Sequence, residues 1–270
     1  MTQGMEYVTR QSCIVPSDQG IRLNRCSICT VRQWALCQPL RETDLNVVEN
    51  FKSGEKTIFT GEDLYVAGEQ SRELYTLLVG WIFLYKLLDD GRRQITKIVL
   101  PGDFIGFGPD LNGPMDHSAG ALTDAQLCVF PKTKILGLFK EHPELAIRMT
   151  WLVARDMEMA HERLMSVGRR TAREGVSQFL LELYYRLRFR SSVSVGTNMP
   201  LPLTQEHIGD SLGLTAVHVN RTVRKLRETG LLAIEKKNLR ILDPDGLAKI
   251  ARIDAETLSR LNFSLTATNS

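Results

Sequence analysis

The chain has 270 residues, of which 43% are hydrophobic and 24% are charged, and its formal net charge is +3. This composition is that of a globular protein with about two domains, and it excludes a disordered chain. No apolar run reaches the roughly 18 residues of a spanning helix, and the N-terminal segment lacks the pattern of a secretory signal. We therefore expect a cytoplasmic protein with no membrane partner. Five cysteines, an odd number, do not suggest a disulfide scaffold.

The first half of the chain predicts an irregular segment followed by a β-rich domain. Residues 1–40 are expected to be irregular and contain four cysteines, and a short helix is expected over 43–51. Residues 74–79 and 81–87 are rich in strand formers, with Gly80 between them. Asp90-Gly91 is a strong hairpin signal, after which residues 94–100 return as a strand. Short, evenly punctuated strands of this kind predict a small barrel or jelly roll.

Residues 143–167 change to helical periodicity. Their apolar residues recur every three or four positions, which is the spacing of a seam between two paired helices. The seam consists of Met149, Val153, Met157, Ala160, Leu164 and Val167. We expect this helix to pair with its copy in a homodimer, and packing on its own domain is the alternative. Asp156 borders the seam, so we expect two copies of this carboxylate to repel each other in the dimer.

Residues 203–227 have the pattern of a helix-turn-helix. Thr204 can cap a first helix, Gly213 suits the sharp turn that follows, and Thr215 can cap a second helix. The buried stripe of the second helix would be Val219, Val223 and Leu226. Residues 232–242 follow as a two-stranded wing with lysines near its tip.

The opposite face of the second helix and the wing contain the candidate DNA-binding residues. An arginine there can contact a guanine edge, an asparagine can read adenine, and the wing lysines suit phosphates. The candidates are Thr215, Val217, His218, Asn220, Arg221, Arg224, Lys236 and Lys237. A helical hairpin in the accessory domain of an enzyme is the alternative. The sequence has no nucleophile–base pair, phosphate loop or metal-hydrolase motif, so we predict that the protein is not an enzyme.

The order of these parts resembles the Crp/Fnr family of bacterial transcription regulators over about residues 40–250. The stretch IGDSLGLTAVHVNRTVRKLRETGLL is close to the recognition motif of that family, and Gly80 and Gly102-Asp103 match its β-roll turns. The resemblance implies an α+β fold, with a jelly-roll β-roll of the cyclic-nucleotide-binding type, a long dimerisation helix and a winged helix-turn-helix. The implied parts are a cysteine-containing segment 1–40, the β-roll 41–142, the dimerisation helix 143–167 and the DNA-binding domain 168–265.

The same resemblance implies the partners of the protein. They are a palindromic double-stranded DNA operator, RNA polymerase and a second copy of the chain, as for a transcription activator. The DNA contacts of the family fall here on Ala216, Val217, Asn220 and Arg221. Because many members carry Glu where this chain has Val217, the bases read are not implied.

A cyclic nucleotide is not the expected signal. The stretch 103–122, where the family holds the cyclic phosphate, contains no Arg and no Lys, so the phosphate charge would be uncompensated.

The cysteines indicate a different signal. Residues 26–37 read CSICTVRQWALC, and Cys26 and Cys29 are spaced to ligate one metal centre. Resemblance to the Fnr-type oxygen sensors implies that Cys26, Cys29, Cys37 and Cys128 bind a 4Fe–4S cluster, with Cys13 as a non-ligand. The expected function is sensing of oxygen or nitric oxide through this cluster, which controls dimerisation and promoter binding. The alternative is a regulator of the same fold without iron, gated by a small ligand, by zinc or by thiol oxidation.

Overall fold

The computed structural model describes residues 25–108, 110–191, 194–254 and 257. The chain begins there with a loop that contains a 3₁₀ turn at Cys26–Ile28, and a second such turn at Glu42–Asp44 leads into helix α1 (Leu45–Phe51). The predicted short helix is confirmed. Leu45, Val48 and Phe51 lie on one face of α1 and are buried, so they anchor this end of the chain in a hydrophobic core.

The β-rich region forms two four-stranded antiparallel sheets, which confirms the predicted jelly roll. The sheet orders are β1-β8-β3-β6 and β2-β7-β4-β5. Gly80, between β3 and β4, has a φ of +93°, and a Cβ there would lie 2.3 Å from the carbonyl oxygen of Asp124. Only glycine fits this corner. The strands are β1 (Gly54–Ile58), β2 (Asp63–Tyr65), β3 (Glu73–Val79), β4 (Ile82–Leu87), β5 (Arg93–Val99), β6 (Phe104–Ile105), β7 (Ser118–Ala121) and β8 (Ala125–Pro131).

Three helices follow the β-roll: α2 (Lys132–Glu141), α3 (Pro143–Gly168) and α4 (Ala172–Ser191). Met149 of the predicted seam is only 5% exposed, because it packs with Leu145 and Leu152 in the core of its own protomer. The seam prediction was therefore wrong at this position. The remaining seam residues form an exposed stripe along α3, namely Val153, Met157, Ala160, Leu164 and Val167.

The C-terminal region is the predicted winged helix-turn-helix. It contains β9 (Met199–Pro200), α5 (Gln205–Leu212), α6 (Ala216–Glu228), β10 (Leu232–Glu235), β11 (Asn238–Ile241) and α7 (Pro244–Ala251). Strand β9 pairs with β11 and extends the wing to three strands. In the described part of the chain, no helix is both long and apolar enough to cross a membrane.

The β-roll and the DNA-binding region share one hydrophobic core. Phe83 and Ile98 from the β4–β5 hairpin belong to the same buried cluster as Phe179 of α4 and Ile208 of α5. Polar contacts reinforce this junction, because Arg93 Nε donates to Asp210 Oδ2 over 2.8 Å. The hairpin therefore packs directly on the first helix of the helix-turn-helix.

Candidate metal centre and nucleic-acid interface

Four cysteines from two separate segments lie near one another where the N-terminal loop packs on strand β8. Cys26, Cys29 and Cys37 lie in the N-terminal loop, and Cys128 lies on β8. Cys29 packs against the small cluster that contains Cys128, and Cys26 and Cys37 belong to the adjoining cluster. All four are free thiols. Among the described residues, no group of three or more His, Cys, Asp or Glu side chains is close enough together to hold a metal ion. Cys13 lies outside the described residues.

Burial favours the neutral form of three of these thiols, Cys26, Cys37 and Cys128. It raises the pKa of Cys37 to about 12, and the neighbouring thiols Cys29, Cys26 and Cys128 add to the rise. Burial also raises the pKa of Cys128 to about 12 and that of Cys26 to about 11. Thiolates form in such a place only when a metal or a cation compensates their charge.

The loop that contains three of the cysteines is fixed against the β-roll. The backbone N–H of Cys26 donates to Glu49 Oε1 of α1 over 2.6 Å. Gly102, in the turn after β5, approaches Trp34 so closely that a Cβ at Gly102 would lie 2.9 Å from Trp34 Cβ. Gly102 also has a φ of +92°, so both its backbone and its surroundings require glycine.

An ion pair lies beside Cys128. Glu55 is the cross-strand neighbour of Cys128 in the β1–β8 register, and it pairs with the Lys52 ammonium. Both side chains are buried, and Gln126 Nε2 donates to Glu55 Oε2 over 2.6 Å. Lys52 also hydrogen-bonds with Cys128. Sequence reasoning missed this pair, because Lys52 follows α1 and comes next to Cys128 only when β1 pairs with β8.

Arg148 of α3 is a second cation that the sequence did not single out. Its Nη2 donates to the carbonyl of Trp34 over 3.0 Å, its Nε donates to that of Ala35 over 3.4 Å, and its guanidinium lies over the ring of Trp151. The residue is 2% exposed, and its Nη1 has no hydrogen-bond partner among the described residues. Burial and the nearby Arg155 lower its pKa to about 10, and Cys37 acts in the opposite direction.

A further cation lies near the stretch 103–122, which has neither Arg nor Lys in the sequence. Lys132 at the start of α2 is buried, and its Nζ lies 3.7 Å from Met115 Sδ. Burial lowers the pKa of Lys132, whereas Asp110 acts in the opposite direction. The fold thus brings a positive charge into this region from outside the stretch.

Side-chain caps fix where the two helices of the DNA-reading motif begin. Thr204 Oγ1 accepts the backbone N–H of His207 over 3.1 Å, and Thr215 Oγ1 accepts that of His218 over 3.2 Å. Gly213 between the helices has a φ of +67°, the left-handed turn that glycine was expected to supply. The Thr215 side chain is thus bonded to its own helix, so its role at this site is capping.

The remaining candidates on α6 lie on one exposed face. Val219, Val223 and Leu226 are buried on the opposite face, as predicted. Val217 is 69% exposed, and Arg224 lies 4.0 Å from Glu228 in an exposed pair. The exposed candidates are Val217, His218, Asn220, Arg221 and Arg224. This face combines hydrogen-bond donors and positive charge, as expected for a helix that enters the major groove.

The tip of the wing has two lysines in an uncommon backbone conformation. Glu235 pairs with Asn238, so Lys236 and Lys237 are the two loop residues of a tight hairpin. Their φ values are 46° and 62°, whereas such turns usually contain Asn or Gly. Left-handed residues of this kind cost on the order of 1–3 kcal/mol each and cluster at functional sites. Both lysines are exposed and suit phosphate contacts.

Comparison with known proteins agrees with this architecture. Residues 55–142 match the cyclic nucleotide-binding domain, and residues 176–250 match the Crp-like helix-turn-helix domain. The chain is 36% identical over 236 residues to the nitrogen fixation regulation protein FixK of Bradyrhizobium diazoefficiens, covering 85% of this chain and 92% of that protein. The chain belongs to the Crp/Fnr family of transcription regulators. Like other members of this family, it is a DNA-binding regulator, and the relatives it matches are regulators rather than enzymes.

Other members of the family match this chain over a similar share of its length. The transcriptional activatory protein AadR of Rhodopseudomonas palustris is 33% identical over 225 residues, covering 82% of this chain and 90% of that protein. The fumarate and nitrate reduction regulatory protein of Escherichia coli is 27% identical, covering 84% and 90%. The structure of FixK2 from Bradyrhizobium japonicum matches with a TM-score of 0.66 at 28% identity, covering 74% of this chain and 98% of that chain.

Proposed function

We propose that this regulator holds a 4Fe–4S cluster on Cys26, Cys29, Cys37 and Cys128, and that it senses oxygen or nitric oxide through this cluster. The observation that carries the proposal is the proximity of four free thiols from two segments of the chain, two of them buried and two half-buried. Thiolates are the usual ligands of iron–sulfur clusters.

The surroundings of the four thiols fit a negatively charged group. Lys52 hydrogen-bonds with Cys128 on one side, and Arg148 contacts the loop that contains Cys37 on the other. Two buried cations next to four thiols compensate the charge that the thiolates acquire on binding. When bound, the cluster would supply the chemistry that reacts with oxygen or nitric oxide.

The other parts of the chain form the dimer and bind DNA. The exposed apolar stripe of α3, from Val153 to Val167, pairs with the same stripe of a second copy, because a symmetric dimer buries one patch against itself. Such a dimer presents two α6 helices to a palindromic operator, with half-sites roughly 34 Å apart. Arg221 and Asn220 read bases, and Lys236 and Lys237 contact phosphates. RNA polymerase is the proposed partner at the promoter, and the activatory relative AadR supports an activator.

The same four free thiols also support a second candidate, in which the regulator lacks iron and responds through bound zinc or thiol oxidation. Protein purified without oxygen separates the two candidates. We expect about four irons and four sulfides per chain and a brown colour. The variants C26S, C29S, C37S and C128S each lose the iron, whereas the control C13S keeps it. Colourless wild-type protein that contains zinc would support the second candidate instead.

DNA recognition is tested separately with Arg221→Ala and Lys236→Ala. The arginine variant loses roughly 1–3 kcal/mol of discrimination between operator and unrelated DNA, because a bidentate contact to guanine is removed. The lysine variant weakens binding to both DNAs by a similar factor and reduces the salt dependence. Binding titrations at two salt concentrations measure both effects. Equal weakening of both DNAs by Arg221→Ala would assign this side chain to a phosphate.

A further inference from the structure

The buried arginines of α3 and α4 differ in what they contact. Arg155, Arg163, Arg186 and Arg190 each form an ion pair with a buried carboxylate, either Asp103 or Glu182. Arg148 is as deeply buried as these four, but its partners are two backbone carbonyls and an aromatic ring. Among the described residues, no carboxylate lies within ion-pair distance of Arg148.

A buried guanidinium without an anion is energetically unfavourable. The penalty for transferring one ion from water to the protein interior is several kcal/mol after relaxation, and carbonyl contacts recover only part of it. Nη1 of Arg148 also lacks a hydrogen-bond partner among the described residues; Arg155 and Arg163 have unpartnered nitrogens too, but a carboxylate compensates each of their charges. The site therefore has the charge and the free donor that an additional anion would satisfy.

The position of Arg148 identifies where this anion would lie. Its two carbonyl contacts, Trp34 and Ala35, belong to the loop between Cys29 and Cys37, and Cys37 is close enough that its thiolate form would favour the charged guanidinium. A cluster held by four thiolates has a net negative charge. The same residue lies on α3, five positions before the exposed stripe begins at Val153.

We propose that Arg148 is the counter-cation of the cysteine site and the residue that connects this site to the dimerisation helix. This inference rests on the proposed cluster and deepens it. With the site loaded, the guanidinium is compensated and holds α3 against the 29–37 loop. With the site empty, the same guanidinium is an uncompensated buried charge, which weakens the attachment of the loop to α3.

The proposal predicts opposite effects of one substitution in the two states of the protein. In metal-free protein, Arg148→Gln removes an uncompensated charge, so the urea midpoint stays unchanged or rises. In anaerobic loaded protein, the same variant loses its visible absorbance in air about threefold or more faster than wild type, because less positive charge opposes oxidation of the cluster. Its dimer also dissociates at a higher protein concentration in sedimentation.

Two further variants separate charge from shape. Arg148→Lys keeps the positive charge, so it restores most of the wild-type decay rate and dimer stability. Arg163→Gln removes an equally buried arginine of α3 that pairs with Glu182, far along the helix from the cysteines. It lowers the urea midpoint in both states and leaves the decay rate of the absorbance unchanged.

The outcomes distinguish this inference from the proposed function. If Arg148→Gln lowers the urea midpoint in metal-free protein as Arg163→Gln does, and the loaded variant decays like wild type, then Arg148 is only structural and the inference is wrong. If anaerobic wild-type protein contains no iron and sulfide, the proposed function and this inference are both wrong.

Discussion

Two buried polar centres meet at the turn after β5, and they differ in how their charges are compensated. In the first centre, Asp103 has no exposed surface and accepts hydrogen bonds from Arg155, Arg186 and Arg190 over 3.0, 2.6 and 2.7 Å. Burial alone would raise the pKa of Asp103, but the three guanidiniums hold it well below its usual range. Asp103 thereby connects the β-roll to α3 and α4.

The cysteine site is the second centre, and Gly102 next to Asp103 contacts its loop. Here burial raises the pKa values of Cys37 and Cys128, and the buried Arg148 has no carboxylate partner among the described residues. In the Asp103 centre, each of the three guanidiniums has a carboxylate partner in its own protomer, so the centre stabilises the fold. In the cysteine site, the guanidinium of Arg148 lacks an anionic partner, which is typical of a site that binds an anion.

The largest expected loss of stability comes from disrupting the Asp103 centre. Asp103→Asn leaves three guanidiniums without their shared carboxylate, so we expect a loss of about 3–5 kcal/mol in the free energy of unfolding. Urea unfolding measures this loss. Asp90→Asn is the matched control, because Asp90 forms an exposed pair with Arg92 and its loss changes stability by about 0.5 kcal/mol or less. A similarly small change for Asp103→Asn would contradict the importance of this centre.

A smaller loss of stability is expected from a substitution at Gly102, the residue at which the two centres meet. Gly102→Ala introduces a methyl group 2.9 Å from Trp34 Cβ at a φ of +92°, with an expected cost of roughly 1–3 kcal/mol. Gly91→Ala is a matched control, because Gly91 has a similar φ of +84° but no atom within 4 Å of the added Cβ. The difference between the two urea midpoints isolates the contact with Trp34. We also expect Gly102→Ala, but not Gly91→Ala, to reduce the iron content of anaerobic protein.

Much of the fold and of the DNA-reading motif could be predicted because their signals are local. Thr204, Gly213 and Thr215 cap and turn the helices within a few residues of their own positions, and the structure confirms all three. The stripe Val219, Val223 and Leu226 follows from the helical period alone. Each of these features depends on neighbours in sequence, so one sequence is sufficient to find them.

The contacts around the cysteines depend on distant parts of the chain. Lys52 is 76 positions from Cys128, and Arg148 is more than 100 positions from Trp34, so neither pairing leaves a pattern in sequence. Arg148 lies next to Met149, which helical periodicity placed on the seam, whereas the structure buries Met149 in its own domain. Periodicity identifies the apolar face of a helix but not which neighbour covers each part of it.

The two centres also predict opposite responses to pH. The pKa of Asp103 is depressed in the folded protein. Its contribution to the free energy of unfolding is therefore present at neutral pH and is lost as the pH falls through the folded pKa. The pKa of Cys37 is raised to about 12 in the folded protein. Its contribution to the free energy of unfolding is therefore greatest below about pH 8.5, the ordinary pKa of a thiol, and is lost as the pH rises. In metal-free protein, we expect the stability difference between wild type and Cys37→Ala to fall by about 1–2 kcal/mol between pH 8 and pH 10. A difference that does not vary with pH would show that burial does not perturb this thiol.

The smallest effect is expected at Asp156, which lies at the edge of the Asp103 centre beside the α3 stripe. The sequence suggested that two copies of this carboxylate repel each other in a dimer, but the structure pairs Asp156 with Lys97 and Arg155 in its own protomer. Because these partners already compensate its charge, Asp156→Ala changes the free energy of dimerisation by about 0.5 kcal/mol or less. Lys97→Met is the informative comparison, since it removes one of the two partners and leaves the carboxylate in place. Sedimentation equilibrium of both variants at low salt measures the effect. A dimer strengthened tenfold by Asp156→Ala would support the repulsion hypothesis. A dimer weakened by Lys97→Met alone would show that the ion pair suppresses the repulsion.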